Sequence, residues 1–241
     1  MSSAAAPRNK SQVLAGRAID LQDVPPLRDL VRFGVMADDQ IARRYATRTI
    51  GLFRLRRLKK AGLVSQWGDE LESSTVYSPT MLARHLIAIK GLHPHTTRRS
   101  HLAHDVAVVD LADYLLRLDP AFRFITEDEL RSFLDQIAPP PRHMRGDSRH
   151  QPDGLLQTDH ERIGIELERS DKGPNRYRQI SNWFVREWRI DRVRWYVDNP
   201  HIIERLRQVN ALHGFDRDML IEIEPLPPEV RIRRLPGKFR S

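Results

Sequence analysis

The chain has 241 residues, 40% of them hydrophobic and 30% charged, and its 40 Lys and Arg against 32 Asp and Glu give a net charge of +8. This length suits two small domains, and the basic excess favours a polyanionic partner, usually nucleic acid, although simple solubility is the alternative. The lack of cysteine excludes disulfides and thiolate metal sites. No apolar run approaches the roughly 20 residues that a membrane span needs, and the N-terminus lacks the apolar core of a secretory signal. We therefore expect a cytoplasmic protein with no membrane partner.

The predicted elements divide the chain into five segments. They are a disordered basic tail (residues 1–26), a winged helix-turn-helix domain (27–82), a connecting loop and helix (83–124), an α/β domain (125–225) and a basic C-terminal tail (226–241). The fold class expected for the whole chain is thus α/β, or α+β overall.

The first domain is predicted from three helical stretches, LRDLVRFG, ADDQIARRYA and TRTIGLFRLRRLKKAGLV, of which the first and third end at a glycine. Two short β-like runs follow, VSQW and TVYS, around the polar loop GDELES. Three helices followed by a hairpin is the order of a winged helix-turn-helix.

The third helix of this domain has one apolar face and one cationic face. Leu52, Leu55 and Leu58 gather on one side at helical spacing, so that the other side is free to enter a major groove. The polar residues predicted to contact double-stranded DNA are Arg48, Thr49, Arg56, Arg57 and Lys60. Arginine in particular pairs bidentately with guanine edges. The alternative is a solvated charged face with no partner.

The tip of the predicted hairpin argues against a wing that touches DNA. It carries Asp69, Glu70 and Glu72, which phosphates repel. Either only the helix binds DNA, or the tip faces a protein partner.

Two further helices follow, one that connects the domains and one that opens the second domain. The stretch LAHDVAVVDLADYLLRL predicts an amphipathic helix with Val106, Val109, Leu115 and Leu116 on its buried stripe, packing on both domains. The stretch ITEDELRSFLDQI predicts a second helix that begins with a capping box made by Thr126 and Glu129.

From residue 150 onward the pattern changes to alternating strands and helices. IGIELE, VRWYVD and MLIEIEPL read as strands, and the stretches PNRYRQISNWFVREWR and NPHIIERLRQVNAL between them read as helices. This order predicts an α/β layer.

Acidic residues in the first of these strands predict a metal site. The strand period puts Glu166 and Glu168 on one face, and Asp153 lies 13 residues before Glu166, with QTDHER as a turn, so a β-hairpin would bring Asp153 beside Glu166. Carboxylate clusters suit magnesium, and Glu129 is a candidate fourth ligand. The alternative is an amphipathic hairpin whose polar face lies in solvent.

The segment PDG followed by IELE resembles the hairpin of the PD-(D/E)XK nuclease superfamily. The resemblance implies a restriction-endonuclease-like domain in which Asp153 and Glu166 bind Mg²⁺ or Mn²⁺. It departs from the motif because Glu168 stands where the catalytic lysine is expected, and Lys172, four residues on, is the candidate replacement. If the protein is catalytic, Glu168 or Lys172 places the attacking water. Arg176, near the start of the next helix, is a candidate phosphate contact.

The order of RLRRLKKAGLV, HLAHDVAVVDL and PDG followed by IELERSDK also resembles the replication-relaxation family of mobile-element and plasmid proteins, from about residue 27 to about residue 223. This resemblance implies a winged helix joined to a nuclease-like domain and a role in DNA transactions. The rival interpretation is a non-catalytic regulator whose second domain serves dimerisation or partner binding, so a homodimer stays open. We expect neither a haem nor a nucleotide cofactor.

Histidines form two weaker candidate groups. A zinc site from His93, His95, His101 and His104 lacks further ligands in the sequence, so polar surface histidines are the favoured interpretation. His143, His150 and His160 flank the hairpin, where one of them is a candidate base near neutral pH.

Overall fold

A computed structural model describes residues 12–14, 17–67, 71, 74–89, 92, 98–138, 150–218 and 220–234 as a mixed α/β protein. The N-terminal half contains β1 (Gln12–Leu14), β2 (Arg17–Ile19), a 3-10 turn (Leu21–Asp23), α1 (Val24–Phe33), β3 (Met36–Ala37), α2 (Asp38–Ala42), α3 (Arg48–Lys60), β4 (Val64–Gln66), β5 (Val76–Pro79), α4 (Met81–Ile87) and α5 (Leu102–Leu118). The C-terminal half contains β6 (Arg123–Thr126), α6 (Glu127–Ile137), β7 (Gly154–Gln157), β8 (Arg162–Glu168), α7 (Pro174–Arg186), β9 (Arg192–Val197), α8 (Pro200–His213), α9 (Phe215–Asp218) and β10 (Leu220–Pro225).

The three helices and the two strands predicted for the first domain are all present. Helix α3 begins at its N-cap Thr47, whose hydroxyl accepts a hydrogen bond from the Ile50 N–H. Leu55 and Leu58 are buried as predicted, whereas Leu52 is only half-buried. The hairpin β4–β5 is antiparallel, and β3, which the sequence pattern did not predict, pairs with β5 to complete a three-stranded sheet in the order β3-β5-β4.

Helix α5 is the structural link between the two halves. It packs against both β3 and β6, which confirms the prediction that this helix contacts both domains. Val106, Val109 and Leu115 are buried as expected. The core around it is continuous, because Leu27 of α1, Leu111 of α5 and Ile163 of β8 belong to one cluster of buried side chains. The two halves therefore share apolar contacts and are not joined by a loop alone.

The C-terminal half is built on a five-stranded mixed sheet in the order β10-β9-β8-β7-β6. Strands β8, β9 and β10 are parallel and are connected through α7 and through α8 and α9, as the alternating pattern predicted. Strand β7 runs antiparallel to both β8 and β6, so the predicted hairpin is confirmed and β6 is an additional edge strand.

Both faces of this sheet are covered by helices. Ile163 and Ile165 of β8 lie in the core shared with α1 and α5, whereas Val193 and Trp195 of β9 lie in a second core with α6, α7 and α8. A central strand buried on both faces leaves no polar side in water. The alternative of an amphipathic hairpin with its acids in solvent is therefore wrong, since Glu166 and Glu168 are each only 2% exposed.

The two predicted tails are shorter than expected. Ile19, within the predicted N-terminal tail, is buried, and α1 begins at Val24. At the other end, the Leu226 N–H donates to the Val197 carbonyl at 2.8 Å, and Val230 and Arg233 are both buried. Residues 226–234 therefore form a strap that packs back onto the N-terminal half. Residues 1–11 and 235–241 lie outside the described residues.

Several residues singled out in the sequence also lie outside the described residues, namely the hairpin-tip acids Asp69, Glu70 and Glu72 and the histidines His93, His95 and His143. In the part of the chain that is described, none of the helices combines the length and apolar character that crossing a bilayer requires.

Candidate functional site

The outward face of α3 presents the predicted DNA-contacting residues. Arg48, Thr49, Arg56 and Lys60 are exposed, and Phe53 between them is 59% exposed. A large apolar side chain held in water among cationic ones is a surface that a partner can cover. The face therefore combines exposed cationic side chains with one exposed aromatic ring.

Arg57 differs from the other predicted contacts because a carboxylate already holds it. Its Nη1 lies 3.2 Å from Asp20 Oδ2, and Arg54 pairs with the same oxygen. Asp20 belongs to the segment just before α1, which the sequence analysis assigned to a disordered tail. A phosphate that approaches Arg57 would have to compete with this carboxylate.

A close helix crossing fixes the position of α3. Gly51 is buried against α2, and a Cβ built at Gly51 would lie 2.5 Å from the Ala42 Cα. Only glycine allows the two backbones to approach this closely. The short helix α2, a turn and α3 therefore form a rigid pair with the cationic face outward.

The predicted acids meet where β7 begins and β8 ends. The register of this antiparallel pair joins Gly154 to Ile165, so continuing it by one residue places Asp153 opposite Glu166. Burial, and to a smaller extent the negative charge of Asp153, raises the pKa of Glu166. The hairpin thus brings together the two residues that the sequence analysis proposed as a pair.

Asp153 is held by a histidine from α5. His104 Nε2 lies 3.0 Å from Asp153 Oδ1, and the Leu167 N–H donates to Asp153 Oδ2 at 2.7 Å. Burial opposes a charged imidazole, but the charge and hydrogen bond of Asp153 outweigh it and raise the pKa of His104 to about 9. Burial likewise opposes ionisation of Asp153, yet these same contacts lower its pKa.

Glu166 has a histidine partner of its own. His150 Nε2 lies 2.6 Å from Glu166 Oε1, and the imidazole packs edge-on against Trp183 and Phe184 of α7. Burial raises the pKa of Glu166. For His150, burial works against protonation, but the charge and hydrogen bond of Glu166 raise the pKa. The pair is therefore strongly coupled through one short hydrogen bond.

Glu168 and Lys172 form the third pair. Lys172 Nζ lies 3.0 Å from Glu168 Oε2, and the Ser170 N–H donates to Glu168 Oε1 at 3.1 Å. Burial lowers the pKa of Lys172, but Glu168, then Glu166 and Asp153, reverse this and raise it. Lys172, the candidate replacement for the catalytic lysine of the motif, is thus paired with Glu168, which stands at the position where the motif has that lysine.

The remaining predicted site residues lie elsewhere. Glu129 accepts two hydrogen bonds from Arg32 of α1, both at 2.9 Å, and one from the Thr126 N–H at 3.0 Å, as the predicted capping box requires. It therefore joins α1 to α6 and does not complete the acidic group. Arg176 is exposed on the first turn of α7, where it donates to Gln179 Oε1 at 3.3 Å.

The acidic group does not fit a divalent ion in this arrangement. Magnesium and manganese need several oxygen ligands that are free to coordinate. Here each carboxylate already has a basic partner, and both oxygens of Asp153 are engaged. Within the described ranges, no group of three or more His, Cys, Asp or Glu side chains is arranged so that it could hold a metal.

Sequence reasoning underestimated two members of this group. The sequence pattern indicates His104 only as part of a zinc site and His150 only as a candidate base, and it pairs neither of them with an acid. His104 lies 49 positions before Asp153, so nothing in the local pattern indicated that they pair. The available signal was the concentration of histidines on either side of the PDG segment.

Comparison of the chain with protein-family models, curated protein sequences and solved structures finds no match. The class that the structure itself defines is a mixed α/β protein with a three-stranded antiparallel sheet in its N-terminal half and a five-stranded mixed sheet in its C-terminal half.

Proposed function

We propose that this protein binds double-stranded DNA through α3 and acts as a sequence-specific DNA-binding factor. The observation that carries the proposal is the exposed cationic face of α3, with Arg48, Arg56 and Lys60 directed away from the core. Lysine and arginine on such a face release counterions from the phosphates, and arginine distinguishes guanine by bidentate hydrogen bonds.

The arrangement around α3 supports this proposal. The elements α1, β3, α2, α3, β4 and β5 follow one another in the order of a winged helix, and the close contact of Gly51 with Ala42 sets α3 rigidly on α2. A recognition helix needs such support, because side chains that read bases must be held in a fixed register.

The C-terminal half serves, on this proposal, as a nuclease-like scaffold that supports binding. Arg176 on α7 adds a phosphate contact. The likeness of the PDG and IELERSDK segments to replication-relaxation proteins favours a role in DNA transactions of a mobile element, as a regulator whose second half contacts a partner or a second copy of the chain.

DNA binding is tested by fluorescence anisotropy with duplexes chosen by selection from a random pool. Arg56→Ala is expected to weaken binding by about tenfold, since a bidentate base contact contributes roughly 1–3 kcal/mol. The matched control is Arg117→Ala, which removes an exposed arginine near the end of α5. If both variants bind as tightly as the wild type, α3 is not the reading helix.

A second candidate is metal-dependent phosphodiester hydrolysis at the acidic group. The placement of Asp153 opposite Glu166 favours it, but it requires His104 and His150 to release these carboxylates. A plasmid-nicking assay with Mg²⁺ and Mn²⁺ separates the two candidates. Nicking by the wild type that is lost in Asp153→Ala and Glu166→Ala would support the enzyme, whereas intact sequence-specific binding without nicking supports the regulator.

A further inference from the structure

Each of the three acids at the sheet edge contacts one basic side chain. Asp153 pairs with His104, Glu166 with His150, and Glu168 with Lys172. A divalent ion would have to displace these partners from the carboxylate oxygens before it could coordinate them.

The basic partners come from three different parts of the chain. His104 lies in the first turn of α5, His150 lies just before β7, and Lys172 lies in the turn between β8 and α7. Each partner reaches its acid at 2.6–3.0 Å, so each carboxylate anchors a different segment to the same end of the sheet.

Metal ions in such places usually perform this same task, since one ion holds together acids that would otherwise repel each other. In this protein the backbone also takes part. The Leu167 N–H donates to Asp153 Oδ2, so both oxygens of Asp153 are engaged, and the Ser170 N–H donates to Glu168 Oε1 beside the ion pair of Oε2 with Lys172. A buried carboxylate that already contacts a basic side chain and a backbone N–H gains less from a cation that must first displace these partners.

We propose that His104, His150 and Lys172 take the place of a divalent cation at this site, so that the nuclease-like acids form a metal-independent clamp between α5, the segment at residue 150 and the turn after β8. The consequence is chemical as well as structural. The basic partners occupy the carboxylates that a magnesium ion would need, and they exclude the ion until the histidines are removed.

Isothermal titration calorimetry with MnCl₂ and MgCl₂ on the full-length protein without DNA tests directly whether the acids bind a divalent ion. The wild type is expected to show no saturable binding at millimolar metal. The double variant His104→Ala/His150→Ala frees both carboxylates and is expected to bind Mn²⁺ saturably, with a dissociation constant at least tenfold below the highest concentration titrated. Adding Asp153→Asn to the double variant should abolish that binding.

Saturable Mn²⁺ binding by the wild type, lost in Asp153→Asn, would overturn the proposal whatever the double variant does. Should the double variant fail to fold, the single variant His104→Gln replaces it, because the amide keeps much of the volume but not the positive charge. A His104→Gln protein that folds without a change in melting temperature would also overturn the clamp. Neither result depends on DNA binding, so failure of this inference and failure of the proposed function are distinguishable.

Discussion

Replacing Arg233 tests the strap that binds the C-terminal residues to the N-terminal half. Its guanidinium donates from Nη1 to Asp110 Oδ2 at 2.6 Å, from Nη2 to both oxygens of Asp39 at 3.0 Å, and from Nε to Ser74 Oγ at 3.1 Å. The side chain is 4% exposed and that of Asp110 is 1% exposed. Arg233→Met would remove the charge and leave Asp110 buried, with Arg43 as its remaining cation.

The expected cost follows from these contacts. Breaking a buried ion pair by removing one partner typically costs about 3–5 kcal/mol, because the other charge is left uncompensated. Arg43 still neutralises Asp110, so the lower end, about 3 kcal/mol, applies. For a chain of this size a loss of 1 kcal/mol lowers the melting temperature by roughly 2–4 °C, which predicts a decrease of about 6–12 °C.

Arg231→Met is the matched control. Arg231 lies in the same strap and pairs with the same Asp39 at 3.1 Å, but its side chain is 67% exposed. Water screens an exposed pair, so its loss is expected to cost less than about 1 kcal/mol. Calorimetry measures the melting temperatures of both variants, and we expect the larger decrease for Arg233→Met. Equal melting temperatures for the two variants would refute the reasoning.

Three other changes have expected outcomes. Gly51→Ala should lower the free energy of unfolding by about 1–3 kcal/mol in urea melts, although alanine usually favours helices, because its Cβ would overlap the Ala42 backbone. Asp20→Asn should strengthen DNA binding about two- to fivefold by anisotropy, since Arg57 loses a competing carboxylate; unchanged affinity would contradict this. Burial opposes ionisation of Asp110, but the charge of Arg233 outweighs burial, so the folded-state pKa of Asp110 is lowered. The ionised Asp110 therefore stabilises the fold above the unfolded pKa of about 3.9. This stabilisation is lost as the pH falls through the lower folded-state pKa. The wild type should therefore exceed Asp110→Asn in stability at pH 6, with a smaller difference at pH 3.

The elements with strong local patterns could be predicted from the sequence. Helix α3 combines regular apolar spacing, an N-cap at Thr47 and a glycine stop at Gly62, and strand β8 alternates with period two. Strands β3 and β6 have only two and four residues, which is too short for a periodic signal. They form because longer neighbours, β5 and β7, offer them backbone partners.

The candidate site was predictable only in part. Asp153 and Glu166 belong to the two arms of one hairpin, so their spacing in the sequence was enough to predict that they lie close together. Their histidine partners come from another helix and another segment, and the contact of Arg233 with Asp39 joins residues 194 positions apart. Such long-range pairs leave no periodic trace in a single sequence. The burial of Glu166 and Glu168 could not be predicted from the sequence either, because it depends on which helices, distant in the sequence, cover the second face of the sheet.

The central claim is that α3 reads DNA bases, and the sequence preference of the Arg56→Ala variant tests it most directly. Selection of bound duplexes from a random pool should give a defined motif for the wild type. The variant should lose its preference mainly at one base pair of that motif and keep the others. An identical motif for both proteins, or no motif for the wild type, would contradict the account.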